Sequence, residues 1–181
     1  ALDAVDADRL LVHCAGGLAL VSAASGGVEI VPLDSVDRTR RICELRLRSV
    51  EPTALIEGTP RVLAAGRLAL AFDQLGCCTR ALELALAYAM ERKQFGRVIG
   101  SFQAVKHMLS EMAAALEPAR SLAWYAAHAF DHEPADAQRL AALAKAHVSE
   151  VASDVLRKAT EVHGGIGFTE QYDLHLWFRR V

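Results

Sequence analysis

Hydrophobic and polar positions change rhythm once along this chain, near residue 52. Before that point, short apolar runs are set apart by glycine-rich turns. Leu10-Leu11-Val12-His13-Cys14-Ala15 and Leu18-Ala19-Leu20-Val21 flank Gly16-Gly17, the pattern of a β-hairpin whose turn needs residues tolerant of positive φ. Val28-Glu29-Ile30-Val31-Pro32-Leu33 follows the turn Ser25-Gly26-Gly27, and residues 42–50 alternate apolar with polar as a half-buried strand does. Glu51-Pro52 is expected to end the strand region. Four such strands are too few to stand as a sheet domain, so they are expected to be the later part of a larger sheet.

After the switch the period lengthens to that of a helix. Thr59 followed by Pro60 suits an N-cap and first turn. The pattern predicts a helix over 59–92, with Val62, Leu63, Leu68, Leu70, Leu75, Leu82 and Leu86 as its apolar positions. A second helix is expected from about 101 to 130, through Met108, Met112, Leu116, Leu122, Trp124 and Tyr125, bent at Pro118 where one intrahelical bond is missing. Asp131-His132-Glu133-Pro134 reads as a turn, and a third helix over about 135–162 carries Leu140, Leu143, Val148, Val151, Val155 and Leu156. Gly164-Gly165-Ile166-Gly167 breaks it, and a short helical segment over 174–180 follows. The expected fold class is therefore mainly α: an antiparallel four-helix bundle over 54–181, preceded over 1–53 by part of an antiparallel β-domain.

Composition narrows the function classes. The 181 residues are long enough to bury a sizeable core, and the enrichment in Ala and Leu agrees with helices. A formal net charge of −2 does not suggest a nucleic-acid groove or an anionic membrane surface. No apolar run reaches the length of a bilayer span and no secretory leader pattern opens the chain, so a cytoplasmic location is expected. Cys14, Cys43, Cys77 and Cys78 lack metal-type spacing and are expected to be reduced, mostly buried thiols. His128 and His132 are four apart but lack a third ligand, so no metal is expected. There is no G-x-S-x-G elbow for a serine nucleophile.

Two segments carry candidate chemistry. Glu91-Arg92-Lys93-Gln94-Phe95-Gly96-Arg97 gathers three cations, a phenyl ring and a glycine at a helix-to-helix corner. An arginine fork suits a diphosphate through paired charge-assisted hydrogen bonds. Equally, Arg and Lys offset the negative end of a helix dipole, and Gly96 is well placed to end the helix. His163-Gly164-Gly165-Ile166-Gly167-Phe168 is the second segment: its glycines either let backbone approach a ligand or supply a left-handed helix cap. It does not match a dinucleotide fingerprint, which needs a strand before and a helix after.

These two segments, with Ser101-Phe102-Gln103-Ala104-Val105-Lys106-His107 between them and Tyr172-Asp173-Leu174-His175-Leu176-Trp177-Phe178-Arg179-Arg180 after them, resemble the acyl-CoA dehydrogenase family in order and spacing. The last stretch is especially similar to actinobacterial members of steroid and lipid catabolism. The resemblance implies that residues 1–53 are the later part of the middle β-domain and 54–181 the C-terminal helical domain. It further implies FAD as cofactor, bound in a site shared between subunits of a homo- or hetero-oligomer. Arg92 and Phe95 would hold its diphosphate and adenosine half, Gln94 and Gln103 would add polar contacts, and Gly164 and Gly165 would let backbone approach the diphosphate. Where the family often has Gln, this chain has Glu161; a carboxylate beside a diphosphate must be turned away or paired.

The reaction so implied is α,β-dehydrogenation of an acyl-CoA thioester, steroid or fatty acyl, with electrons passed to a carrier such as an electron-transfer flavoprotein. Its base is a carboxylate whose pKa is raised by burial. Of the two slots the family uses, one is Gly66 here and the other lies beyond Val181. Ala64 stands where many relatives carry an aspartate. Arg67 matches and is expected near the acyl-CoA site; Asp73 is a fallback base. A catalytic subunit or fragment, a non-catalytic subunit completing a partner's FAD site, and an acyl-CoA oxidase or flavin monooxygenase on the same fold are the readings this leaves.

Overall fold

The computed structural model describes residues 1–15 and 17–181 and divides into two compact units, Ala1–Val62 and Leu63–Val181. Gly16, half of the expected hairpin turn, lies outside the described residues.

In the first unit, β1 (Arg9–Cys14) pairs antiparallel with β2 (Gly17–Ser22), Leu10 opposite Val21 and Val12 opposite Ala19. A separate antiparallel pair joins β3 (Val28–Leu33) to β4 (Ile42–Leu47), with Ile30 opposite Leu45. Alternate residues point to one core: Leu10, Val12 and Cys14 from β1, Ala19 and Val21 from β2, Ile30 and Leu45 from the second pair, closed by Ala4 and Cys43. That is the period-two burial expected of one-sided sheets. The strand region does not stop at Pro52. A fifth strand, β5 (Ala54–Ile56), pairs with β2, and Thr53 N donates to Leu20 O at 2.7 Å. Proline removes only its own donor, so the residues after it remain free to join a ladder.

Three long helices follow: α1 (Thr59–Glu91), α2 (Gln103–His132) and α3 (Pro134–His163), then the short α4 (Leu174–Arg180). In the second unit, Ala64 and Leu68 near the start of α1 pack with Ala126 and Ala129 near the end of α2, and with Leu140 and Ala144 near the start of α3. Ala85 and Ala89 belong to a larger cluster with Met112 and Leu116 of α2, Leu156 and Val162 of α3, and Leu174 of α4. So α1 and α3 run together and α2 runs against both, a mainly helical fold with antiparallel packing. The helix α2 is continuous through Pro118. None of the four cysteines is in a disulfide among the described residues, and burial, assisted by neighbouring Cys77, pushes the Cys78 thiol up to about 12. No helix among the described residues is long and apolar enough to cross a membrane.

The face of α1 that enters the core differs from the expected one. Leu68 and Leu75 are buried, but most core positions are small: Ala71, Cys78, Ala81, Ala85 and Ala89. Leu63, Leu70, Leu86 and Met90 are exposed instead. A helix apolar all round has no periodic signal to say which side is inside, and alanine lets neighbouring helices approach closely.

Gly96 does not end α1. The helix stops at Glu91, and residues 93–98 form a small hairpin, β6 (Lys93–Gln94) against β7 (Arg97–Val98). Its two central residues, Phe95 and Gly96, have φ of 53° and 78°, the left-handed pair that a type I′ turn requires. Glycine takes that conformation without strain; phenylalanine does not.

Candidate functional site

Because α1 and α3 run in the same direction, their C-terminal ends lie side by side. Between them is an open cavity of about 470 Å³, walled by Tyr88, Arg92 and Gln94 from the α1 side and by His163, Gly164 and Gly165 from the α3 side. Two helix C-termini place partial negative charge here, so an anion is held only if cations outweigh it. Arg92 is the cation that lines the cavity, with Lys93 and Arg97 following it in the hairpin. Arg92 is exposed and, among the described residues, has no ion-pair partner, so its fork is available.

Gly164 ends α3 with φ 63° and ψ −141°, and its N–H caps the helix on Thr160 O and Glu161 O. A Cβ on either Gly164 or Gly165 would meet nothing within 4 Å. The glycines are therefore not demanded by packing inside this chain; a side chain there would project into open space along the cavity wall. Glu161 is exposed and held at 2.5 Å by Arg157, one turn back on α3. This is the pairing that a carboxylate close to an anion site needs.

His163 is almost fully buried at 3% exposure. Its ring stacks on Tyr88 at 4.7 Å between centroids and leans on Tyr172 at 4.7 Å. Nδ1 lies 2.7 Å from Ala159 O, while Nε2 is buried with no hydrogen-bond partner among the described residues. Burial holds the imidazole below its usual pKa, only partly countered by the bond to Ala159 O. The Tyr172 hydroxyl is raised, chiefly by burial.

The cavity thus brings together four of the expected residues: Arg92, Gln94, Gly164 and Gly165. Phe95 stands beside it at the tip of the hairpin, 92% exposed, its ring edge-on to Phe102 at 6.2 Å. The Arg97 guanidinium lies over the same Phe102 ring at 4.1 Å, fixing the hairpin against the start of α2. Gln103 is exposed at the first position of α2 and does not line the cavity. Tyr88 and Ile99 line it without having been singled out. Tyr88 could have been found from its place one turn before Arg92.

Arg67 is elsewhere. It is half-buried near the start of α1, roughly 35 Å along the helix from Glu91 at 1.5 Å per residue. Asp73 is engaged: Arg180 Nη2 lies 3.1 Å from its Oδ1, and Nε lies 3.4 and 3.3 Å from its two oxygens. Gly66 and Asp73 are seven residues apart, so they share one face of α1 about 10 Å apart along the axis. The Arg180–Asp73 ion pair ties α4 to this stretch of α1.

Residues 57–181 match the model of the acyl-CoA dehydrogenase C-terminal domain. The chain is 36% identical over 150 residues to acyl-CoA dehydrogenase IpdE2 of Mycobacterium tuberculosis, covering 83% of this chain and 44% of that one. It is 38% identical over 119 residues to the caffeyl-CoA reductase-Etf complex subunit CarC of Acetobacterium woodii, covering 66% and 31%. Among solved structures, it superposes on a variant of the Tcur3481-Tcur3483 steroid ACAD with a TM-score of 0.91 at 33% identity, over 97% of this chain and 50% of that one. The ChsE4-ChsE5 complex of Mycobacterium tuberculosis gives 0.86 at 28% identity, over 96% and 50%. The chain spans less than half the length of both curated relatives.

Proposed function

Since the chain belongs to the acyl-CoA dehydrogenase family, we propose that it contributes one half of an FAD site to an oligomeric oxidoreductase that dehydrogenates an acyl-CoA thioester at its α and β carbons. The observation that carries this reading is the cavity in which Arg92, Gln94, Gly164 and Gly165 meet. Its donor set fits a dinucleotide. An unpaired guanidinium faces the phosphates, and two glycines leave the wall bare for close approach of backbone. FAD, when bound, supplies the acceptor for the hydride leaving the β carbon.

In this reading Arg92 offsets the diphosphate charge and the two helix C-termini at once, and Gln94 orients the ligand from the hairpin. Phe95, almost wholly uncovered, offers a flat apolar surface to the adenosine half or to the subunit that carries the remainder of the site. Gln103 contacts the cofactor from the start of α2, across the Phe102 pivot. Arg67, far along α1, serves the acyl-CoA end. The strands of residues 1–53 are the later part of the middle β-domain. An electron carrier takes the electrons; CarC, as part of a caffeyl-CoA reductase-Etf complex, supports that kind of partner. Steroid and fatty acyl thioesters are the substrate classes, the former supported by the likeness to a steroid ACAD.

A second reading is favoured by one observation: Asp73 is tied to Arg180 and Gly66 carries no side chain. Within 1–181 neither position offers a free carboxylate to take the α-proton, so this chain completes a site whose base is supplied from outside these residues. Both readings place Arg92 on the cofactor. Flavin absorbance of the purified assembly decides the common premise: it should be yellow, bleach on addition of the acyl-CoA, and lose flavin in Arg92→Ala. An assembly that stays colourless when reconstituted with FAD would sink both.

A further inference from the structure

The α3 wall of the Arg92 cavity continues back along the helix as a stripe of charge. Asp154, Arg157, Glu161 and Gly164 follow one another at spacings of three, four and three residues, which puts them on one side of α3. Gly164 is the member that lines the cavity. Glu161 stands three residues before it, about 4.5 Å along the axis. A glutamate side chain reaches only a few ångströms further. Its charge is therefore separated from an anion held against Gly164 by a distance comparable to the Debye length, about 10 Å at 0.1 M salt.

This end of α3 is the negative end of the helix dipole, so an unopposed carboxylate at Glu161 would add to the potential that expels an anion. The carboxylate is opposed. Arg157 Nη1 lies 2.5 Å from Glu161 Oε1, and its Nη2 lies 2.7 Å from Asp154 Oδ1. Asp154 also accepts from Lys158 Nζ at 2.9 Å, and Lys158 crosses to Glu111 of α2 at 2.8 Å. One guanidinium is thus held between two carboxylates, and a lysine that bridges to α2 fixes one of them in turn. Helical side chains lean towards the N-terminus, so the pairing draws Glu161 back along α3, away from the glycines that follow it. An exposed pair at this spacing adds little to stability. Its effect on the potential at the cavity is a separate matter, because a charge acts over distances that a hydrogen bond does not.

We propose that Arg157 is a positioning residue for the cofactor site: by pairing with Glu161 it turns that carboxylate back and neutralises it, and so keeps the α3 wall open to a diphosphate. This rests on the cofactor reading above. Arg157 does not itself line the cavity. It acts through Glu161.

The test uses the full assembly containing this chain, with FAD as the probe in equilibrium dialysis at low salt. Arg157→Gln leaves Glu161 unopposed and should weaken FAD binding about two- to fourfold, the effect of one charge at roughly 10 Å in a high dielectric. Glu161→Gln should tighten binding by a similar factor. The double variant restores the wild-type charge and should bind as wild type does, and Arg157→Lys, which keeps the charge, should do the same. The differences should vanish near 1 M salt, where the Debye length is about 3 Å. Arg139→Gln removes an equal charge from the pair with Asp136, roughly 33 Å along α3 from Glu161, and should change nothing. A weakening in Arg157→Gln that Glu161→Gln does not restore, or that persists in 1 M salt, would mean a merely structural role. Equal affinities throughout at low salt would mean that the cavity does not feel Glu161. Either result overturns this proposal and leaves the cofactor reading standing. A wild-type assembly that binds no FAD overturns the cofactor reading, and this proposal with it.

Discussion

Arg180 closes on Asp73 from 107 residues away, Nη2 to Oδ1 at 3.1 Å with Nε facing both carboxylate oxygens. Both side chains are about three-quarters buried. The pair latches the last turn of α4 onto the middle of α1, and it engages the one carboxylate of α1 that chemistry alone would nominate as a base. A carboxylate whose oxygens already accept from a guanidinium is poorly placed to abstract a proton from carbon.

Asp73→Asn should therefore act on stability more than on chemistry. The loss is about 1 kcal/mol for a partly buried, side-on ion pair. Arg180→Gln should cost a similar amount, and the double variant little more than either single one, because the two changes remove one interaction. Urea unfolding of the four proteins gives the coupling. Turnover abolished in a well-folded Asp73→Asn assembly would instead make Asp73 the base.

Gly66→Glu should raise stability. A Cβ at Gly66 meets nothing within 4 Å and the site is exposed in the interior of α1, so replacing glycine gains about 0.5–1 kcal/mol of helix propensity. The same change puts a carboxylate at one of the two positions that the resemblance suggests for the base. An increase in Tm of the isolated chain checks the first effect. Gain of acyl-CoA-dependent flavin bleaching, in an assembly that lacks it, checks the second.

Arg92→Ala should leave the fold alone and empty the cofactor site. The side chain is exposed and without an ion-pair partner among the described residues, so the expected stability change lies within about 0.5 kcal/mol. Loss of charge-assisted bonds to a diphosphate costs about 1.5–3 kcal/mol, or roughly ten- to a hundredfold in flavin affinity. Arg92→Lys should restore only part of it, since an ammonium cannot make the paired contact. Equilibrium dialysis against FAD reads the affinities, and urea unfolding reads the stability.

Stability should fall in mildly acidic solution because of His163. Its native pKa is lowered from the ordinary 6.5 by burial. Above pH 6.5 both folded and unfolded chains are neutral at this ring, and the full contribution is present. As pH falls through 6.5 the unfolded chain takes up a proton that the folded chain refuses, so unfolding becomes easier until pH reaches the depressed native value. The slope of unfolding free energy between pH 7.5 and 5 should be shallower in His163→Phe than in wild type. Parallel slopes would mean that the ring is not the source.

Much of the organisation was legible from one dimension. The change of rhythm near residue 52 separates strands from helices because periods of two and of 3.6 residues are local properties of the backbone. The boundaries of α1 to α4 follow from Thr59-Pro60, the Glu133-Pro134 stop and the glycines after His163, signals that act within a turn of where they stand. The cationic segment at 92–97 and the Gly164-Gly165 break were likewise legible, although the hairpin that the first one forms was not.

Other features depend on partners distant in sequence. β5 was missed because its three residues become a strand only when Leu20 offers a carbonyl 33 residues earlier. Which side of α1 is buried was hidden because leucine and alanine alternate around the whole helix, and close approach of α2 and α3 selected the alanines. Asp73 looked free until Arg180 came to it across 107 residues.

The amino-acid sequence by itself determined the long helices, the first four strands and their order, since these rest on local propensity. Only the tertiary structure decided that Arg92 and Gly164 share a cavity, that Phe95 and Gln103 stand outside it, and that His163 is pinned between two tyrosines with one nitrogen unmatched. Those facts arise from helices packed in parallel, and the direction in which two helices meet is set by the whole core rather than by any stretch of chain.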